Sequence, residues 1–214
     1  MHHPSREHDV TLHPPVVHNK GMKSTPANII KPALVAHLAI ALATLTGLSG
    51  QAEDASSSQK IHKVAQKCVD KEMWHGYGLP SGYFGCAAAV CNVLKLAGID
   101  GVSTALVTGM RKQLLQHKSG AMEMTIRNGQ GREIDNATML KYSHPGDILL
   151  AFKQPPTKTN GGANAHCGIM GSGTTVYSNY WNNGLWTKCD VHQMFDAYPY
   201  VRLVRLGVKT APAK

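Results

Sequence analysis

Apolar residues recur at helical intervals in the first half of the domain and at strand intervals in the second. In SSSQKIHKVAQKCVDKEMW, a serine run precedes Ile61, Val64, Ala65 and Cys68 at spacings of three and four, which predicts a first helix. The Gly/Pro-rich stretch HGYGLPSGYFG interrupts that period. A second helix is predicted to start at Cys86, carry Ala87, Val90, Leu94 and Ala97 on one face, and close at Gly98. Ser103 is placed to cap a third helix running to about His117. A turn at NGQG and a short helical stretch, DNATMLKY, come before the punctuation His-Pro-Gly-Asp. The apolar run ILLAF opens a series of predicted strands at 148–152, 165–170, 174–180 and 200–206. Helices followed by strands predict the α+β class. The sequence has no internal repeat, and its only low-complexity piece is the loop QPPTKTNGGAN.

The chain has 214 residues, 43% of them hydrophobic and 16% charged, enough for one domain with a sizeable core. Residues 1–52 read as a separate segment. Lysines are followed by an apolar stretch over 33–48 and then by the small residues Gly50 and Ala52, the layout of a secretory signal peptide cut after Ala52. The stretch is short for a membrane span, and His37 interrupts it. Residues 1–21, rich in His and Pro, precede the signal-like part, so Met22 is an alternative start. The expected mature domain is 53–214, periplasmic or secreted, with no integral membrane segment after processing.

Loss of residues 1–52 takes four of the 22 Lys+Arg and two of the 13 Asp+Glu, leaving a formal charge of +7. Such a chain is drawn to anionic polymers such as a bacterial cell wall. Its basic residues are dispersed and lack a recognition-helix or stacking motif, which argues against nucleic acid.

The candidate chemistry centres on Cys86. A thiol in the first turn of a helix meets unpaired backbone N–H groups and the positive end of the macrodipole, and both favour the thiolate. Far downstream, Ala165 and Gly168 flank His166 with small residues that admit a close approach. Strand alternation sends His166, Gly168 and Met170 to one face and Cys167 and Ile169 to the other, so a His166 facing the Cys86 helix would leave Cys167 facing away. A base needs a third group to hold its tautomer, and Asn179, Ser178 and Asn182 are the candidates. Val176 suits a core face, which puts Thr175, Tyr177 and Asn179 together and Ser178 with Val176. Asn179 is the preferred orienter because its neutral amide oxygen accepts the imidazole N–H. Tyr77, Tyr83 and Phe84, in the loop before Cys86, are expected to line the cleft. The other histidines read as solvated or capping groups. Cys189 and His192 have Cys-x-x-His spacing without a second pair, which gives no basis for a metal site. In an oxidising compartment, some of the five cysteines (Cys68, Cys86, Cys91, Cys167 and Cys189) are expected to pair in at least one disulfide, of unspecified connectivity.

The order of landmarks resembles a known family. GCAAAVCNVLKLAGI at a helix start, HPGDILLAF leading a strand, and HCGIMGSGTTVYSN across a turn are similar to the NlpC-type cell-wall peptidases and the CHAP amidases, both papain-like. The likeness covers about residues 80–180. It departs from the usual Asp-Cys-Ser-Gly by having Gly85 before Cys86 and Ala87-Ala88 after it. The resemblance implies a nucleophile helix packed on an antiparallel sheet and hydrolysis of amide bonds in peptidoglycan stem peptides by a Cys86-His166-Asn179 arrangement. It also implies no metal or organic cofactor. The partners it implies are peptidoglycan or a cell-wall peptide, with a protein inhibitor as a further one to consider. A non-catalytic wall-binding module and an acyltransferase or transglutaminase-like enzyme on the same scaffold are the alternatives.

Overall fold

The computed structural model describes residues 49–129, 133–157 and 164–208, with side-chain environments from Ser57 onward. The signal-like stretch over 33–48 lies outside the described residues, and the expected boundary at Ala52 falls within the first helix. The chain is a mixed α+β fold on a six-stranded antiparallel sheet. The helices are α1 (Ser49–Lys67), α2 (Cys86–Leu96), α3 (Val107–Leu115), α4 (Asn136–Tyr142) and α5 (Val191–Phe195). The strands are β1 (Ala121–Asn128), β2 (Ile148–Phe152), β3 (Ala165–Met170), β4 (Thr175–Asn179), β5 (Trp186–Asp190) and β6 (Tyr200–Leu206), in the spatial order β1-β6-β2-β3-β4-β5.

Strand alternation divides the core in two. Ile148, Leu150, Cys167, Ile169, Tyr177 and Val204 face α1, α2 and α3, whereas Leu149, Ala151, Met170, Val176, Val201 and Leu203 face α4 and α5. Every residue of β2 is buried. That accounts for ILLAF reading as a continuous apolar run, because a strand covered on both faces has no polar side to display. Along α2, Ala87 to Cys91 and Val93 to Leu94 are all buried. A fully buried Val or Leu stabilises by roughly 1.5–3 kcal/mol, so this short helix is held by packing and not by propensity.

Two strands escape the sequence pattern. In β1, Met122, Met124 and Ile126 alternate with Glu123 and Thr125, but the residues are only partly buried, and Arg111 of α3 pairs with Glu123 at 2.6 Å. Edge strand β5 has a single buried residue, Trp186, whose indole N–H donates to the Ala65 carbonyl at 2.9 Å. The third helix also starts later than expected: Leu106 precedes it, and the Ser103 backbone N–H bonds Gln113 instead of Ser103 capping the helix. The short helix at DNATMLKY is capped by Asp135.

The Pro-Gly-Asp landmark is a structural joint. Gly146 adopts φ +95°, and a Cβ there would stand 2.1 Å from the Ser58 carbonyl, so only glycine lets α1 meet β2. Asp147 is fully buried, accepts the His144 N–H at 2.8 Å, and takes two bonds from the Arg205 guanidinium at 2.9 and 2.8 Å. Loss of one partner of a buried pair strands the other charge. Asp147→Ala is therefore expected to lower stability by about 3–5 kcal/mol, read as a fall in the urea midpoint without a change of slope.

Candidate active site

Cys86 is the first residue of α2, and the segment ahead of it is closely packed at its two glycines. Gly82–Phe84 form a 3₁₀ turn closed by the Gly85 N–H on the Gly82 carbonyl at 3.0 Å. A Cβ on Gly85 would lie 2.4 Å from the Trp74 Cβ. One on Gly82 would lie 2.4 Å from the Gly184 Cα and 2.7 Å from Trp74 Nε1. The loop, Trp74 and the β4–β5 turn thus meet with no room for a side chain. Asn179 completes the clamp, its amide donating to the Gly82 carbonyl at 2.6 Å.

The Cys86 sulfur is half-buried at the N-terminal end of β3, 4.0 Å from the Ala165 carbonyl. Hydrogen bonding from Cys167 holds its pKa well below the ordinary thiol value against the opposing effect of burial. Hydrogen bonding and charge from His166 and the Ala87 backbone N–H add to this. Burial, reinforced by the neighbouring Cys86, drives the Cys167 thiol well upward. Of the two thiols, Cys167 keeps the proton and Cys86 gives it up.

His166 is 6% exposed and lies among rings, 5.1 Å from Phe195, 6.3 Å from a stacked Tyr198 and 6.0 Å from the edge of Trp181. Its Nε2 is 2.9 Å from Ser178 Oγ, and Ser178 Oγ is 2.7 Å from the Cys167 carbonyl. A carbonyl only accepts, so the serine proton is committed to it, and Oγ receives the Nε2–H of the imidazole. Nδ1 is left as the nitrogen that can exchange a proton.

The structure corrects the expected third residue. Ser178, not Asn179, partners the imidazole, and the reason is parity. His166 shares its face with Met170, toward α5, and Ser178 lies on that face beside Val176. Asn179 falls with Tyr177 on the helix-facing side. The Asn179 amide oxygen, buried, has no hydrogen-bond partner among the described residues. Asn182 turns to the Tyr180 hydroxyl at 3.1 Å. Cys167 likewise faces α2, so the expectation that His166 would face the nucleophile helix and Cys167 away from it is reversed. Both nonetheless influence the Cys86 thiol, whose sulfur stands at the end of the strand, 4.0 Å from the Ala165 carbonyl. Gly168 lets β3 and β4 pair closely beside the His166–Ser178 contact: a Cβ there would come within 2.7 Å of the Tyr177 carbonyl and 3.2 Å of the Ser178 Cβ.

Tyr83 and Phe84, 61% and 59% exposed, contact each other edge-on at 4.8 Å just before Cys86. Tyr83 lines a groove of about 430 Å³ with Glu72, Trp74, Ser81, Trp181 and Asn182 among its walls. Tyr77 is not part of it. It lines a second cavity of about 340 Å³ with Asn92 and Lys95, and its hydroxyl meets Ser103 Oγ at 3.4 Å. Trp181, which edges both the groove and His166, is a site residue that sequence reasoning missed. Its only signal was a large aromatic in the turn YWNNG. Among the other histidines, His192 is held by Asp196 and Asn136, His117 by Ser119 and the Asp100 carbonyl, and His75 by Glu72.

All five cysteines are unpaired thiols. Burial pushes up Cys68, Cys91 and Cys167, and Cys189 is pushed up to about 11. Only Cys86 is shifted downward, so limiting iodoacetamide at about pH 6 should alkylate Cys86 first. The other four should react only in alkaline solution or after unfolding, as read by peptide mapping. No family model matches this chain, and no curated protein matches it, so the functional reading stands on the geometry of Cys86, His166 and Ser178.

Proposed function

We propose that this chain is a cysteine hydrolase that cleaves amide bonds in peptidoglycan stem peptides, on a papain-like scaffold of the NlpC or CHAP type. The observation that carries the reading is the Cys86 thiol at a helix N-terminus beside His166, with the far nitrogen of that imidazole held by Ser178. A nucleophile, a base and an orienter in sequence-distant contact are the parts an acyl transfer needs. The landmarks from Cys86 to Ser178 support the family, and the basic, signal-bearing character expected of the chain supports an exported enzyme acting on an anionic wall.

In this mechanism the Cys86 thiolate attacks the scissile carbonyl. The backbone N–H groups at the start of α2 face the oxygen on which charge develops. Collapse forms a thioester on Cys86 as His166 passes its proton to the leaving amine. His166 then takes a proton from the water that hydrolyses the thioester, which restores the thiol. Ser178 holds the Nε2–H throughout, so proton traffic stays on Nδ1. Phe195, Tyr198 and Trp181 screen the imidazole from bulk water. Among the described residues, Glu72 is the charged side chain of the adjoining groove, and the groove walls carry no Lys or Arg. That suits a neutral or ammonium-bearing peptide better than an acidic one.

Incubation of the chain with purified sacculi should release new amino groups, and Cys86→Ala should abolish that release while leaving the fold and sacculus binding intact. Sacculus binding without any amine release by the wild type would leave a wall-binding module instead. Transfer of an acyl group to an added amine in place of water would assign the transferase.

The geometry also ranks the neighbours. Ser178→Ala removes a hydrogen bond worth about 1–1.5 kcal/mol and should lower kcat about tenfold. Asn179→Ala should act chiefly through stability, by freeing the Gly82 turn. A larger kcat loss for Asn179→Ala in folded protein would return the orienting role to the amide. Trp181→Ala should raise KM for a stem-peptide substrate severalfold with kcat nearly unchanged, the signature of lost uniform binding.

A further inference from the structure

Cys167 has no place in the hydrolytic cycle, yet it lies on β3 two residues from Ala165, whose carbonyl is 4.0 Å from the Cys86 sulfur, and the two thiols interact. It is fully buried on the helix-facing side of β3, in the core cluster against which Cys86 packs. A second oxidisable thiol beside a reactive thiolate is a hazard in a hydrolase unless the pair has a use. The alternative partner, Cys91, is five residues along α2 and turns its thiol to the Thr104 carbonyl at 3.5 Å.

We infer that Cys86 and Cys167 form an oxidative modification site, at which a peroxide oxidises Cys86 and Cys167 resolves the product into a reversible intramolecular disulfide. In the first step the Cys86 thiolate attacks a peroxide oxygen. An S–O bond forms, the O–O bond breaks, and hydrogen peroxide loses hydroxide, which takes a proton to become water. In the second step Cys167 gives up its proton and its sulfur attacks the neutral sulfenic sulfur. The S–S bond forms, the S–O bond breaks, and a second water leaves. Two thiols are oxidised by two electrons and one peroxide is reduced to two waters. Burial is the main cause that holds the Cys167 thiol protonated, and the neighbouring Cys86 adds to it. Oxidation of Cys86 to a neutral sulfenic acid removes that second contribution and makes Cys167 easier to deprotonate. Cys167, held close to the sulfenic sulfur, reacts with it faster than a second peroxide from solution, so the disulfide forms ahead of the irreversible sulfinic acid. That the bond switches off catalysis rests on the proposed hydrolase reading; its formation does not.

The test is mass spectrometry of the folded chain after stoichiometric hydrogen peroxide in the presence of dimedone. Wild type should lose two hydrogens, yield a joined peptide containing Cys86 and Cys167 on non-reducing digestion, and carry no dimedone. Dithiothreitol should reverse the change completely. Cys167→Ser and Cys167→Ala, which leave the strand packing close to intact, should instead carry dimedone on Cys86. Dimedone or sulfinic acid on Cys86 as the main wild-type product, with Cys167 still alkylatable after unfolding, would overturn the inference, as would a Cys86–Cys91 peptide. Formation of the bond in a protein whose reduced form releases nothing from sacculi would refute the hydrolase and leave the thiol pair standing.

Discussion

Everything chemical in this protein depends on where α2 begins. Its first residue, Cys86, follows a loop in which Gly82 and Gly85 pack against Trp74 and Gly184 with no room for a side chain. The sulfur is therefore delivered to one point, the N-terminal end of β3, where helix N–H groups, an imidazole and a second thiol converge. Moving the helix start by one residue would rotate the thiol by about 100° and bury it in the core, since the next residues, Ala87 to Cys91, are all covered.

The second constraint is that consecutive strand residues face opposite ways. His166 and Cys167 belong to different layers, one among Phe195 and Tyr198, the other under α2. They act on one sulfur only because the sulfur sits at the strand end. Ser178 ties the two layers together, taking the imidazole proton on one side and giving its own to the Cys167 carbonyl on the other. A buried network of this kind is stable because each member is satisfied, and the tautomer of His166 is decided by a strand it is not part of.

The landmark residues divide between chemistry and support. Pro-Gly-Asp, which looks like a motif, carries a close helix-to-strand contact at Gly146 and a buried ion pair at Asp147. Asn179, which looks like an orienter, anchors the nucleophile loop. Asn179 holds the turn ahead of Cys86, whereas Gly146 and Asp147 sit at the Met170 end of the β2–β3 hairpin, away from Ala165 and Cys86.

Local pattern determined a good deal by itself. Helical spacing marked α2 and its start at Cys86, continuous or alternating apolar runs marked β2, β3, β4 and β6, and the small neighbours of His166 singled that residue out. These features depend on short-range geometry and on which face is buried, both written in neighbouring residues. The same logic assigned Val176 and Ser178 to one face and Tyr177 and Asn179 to the other. What it lacked was which face His166 would occupy, and chemical preference for an amide then pointed to Asn179. Only the tertiary structure decided that, because the answer depends on which layer of helices covers which side of the sheet. The same holds for Trp181 and for the thiol of Cys167. Their roles come from contacts across long stretches of chain, and β1 and β5 were missed because half-exposed edge strands leave a weak alternation that packing alone completes.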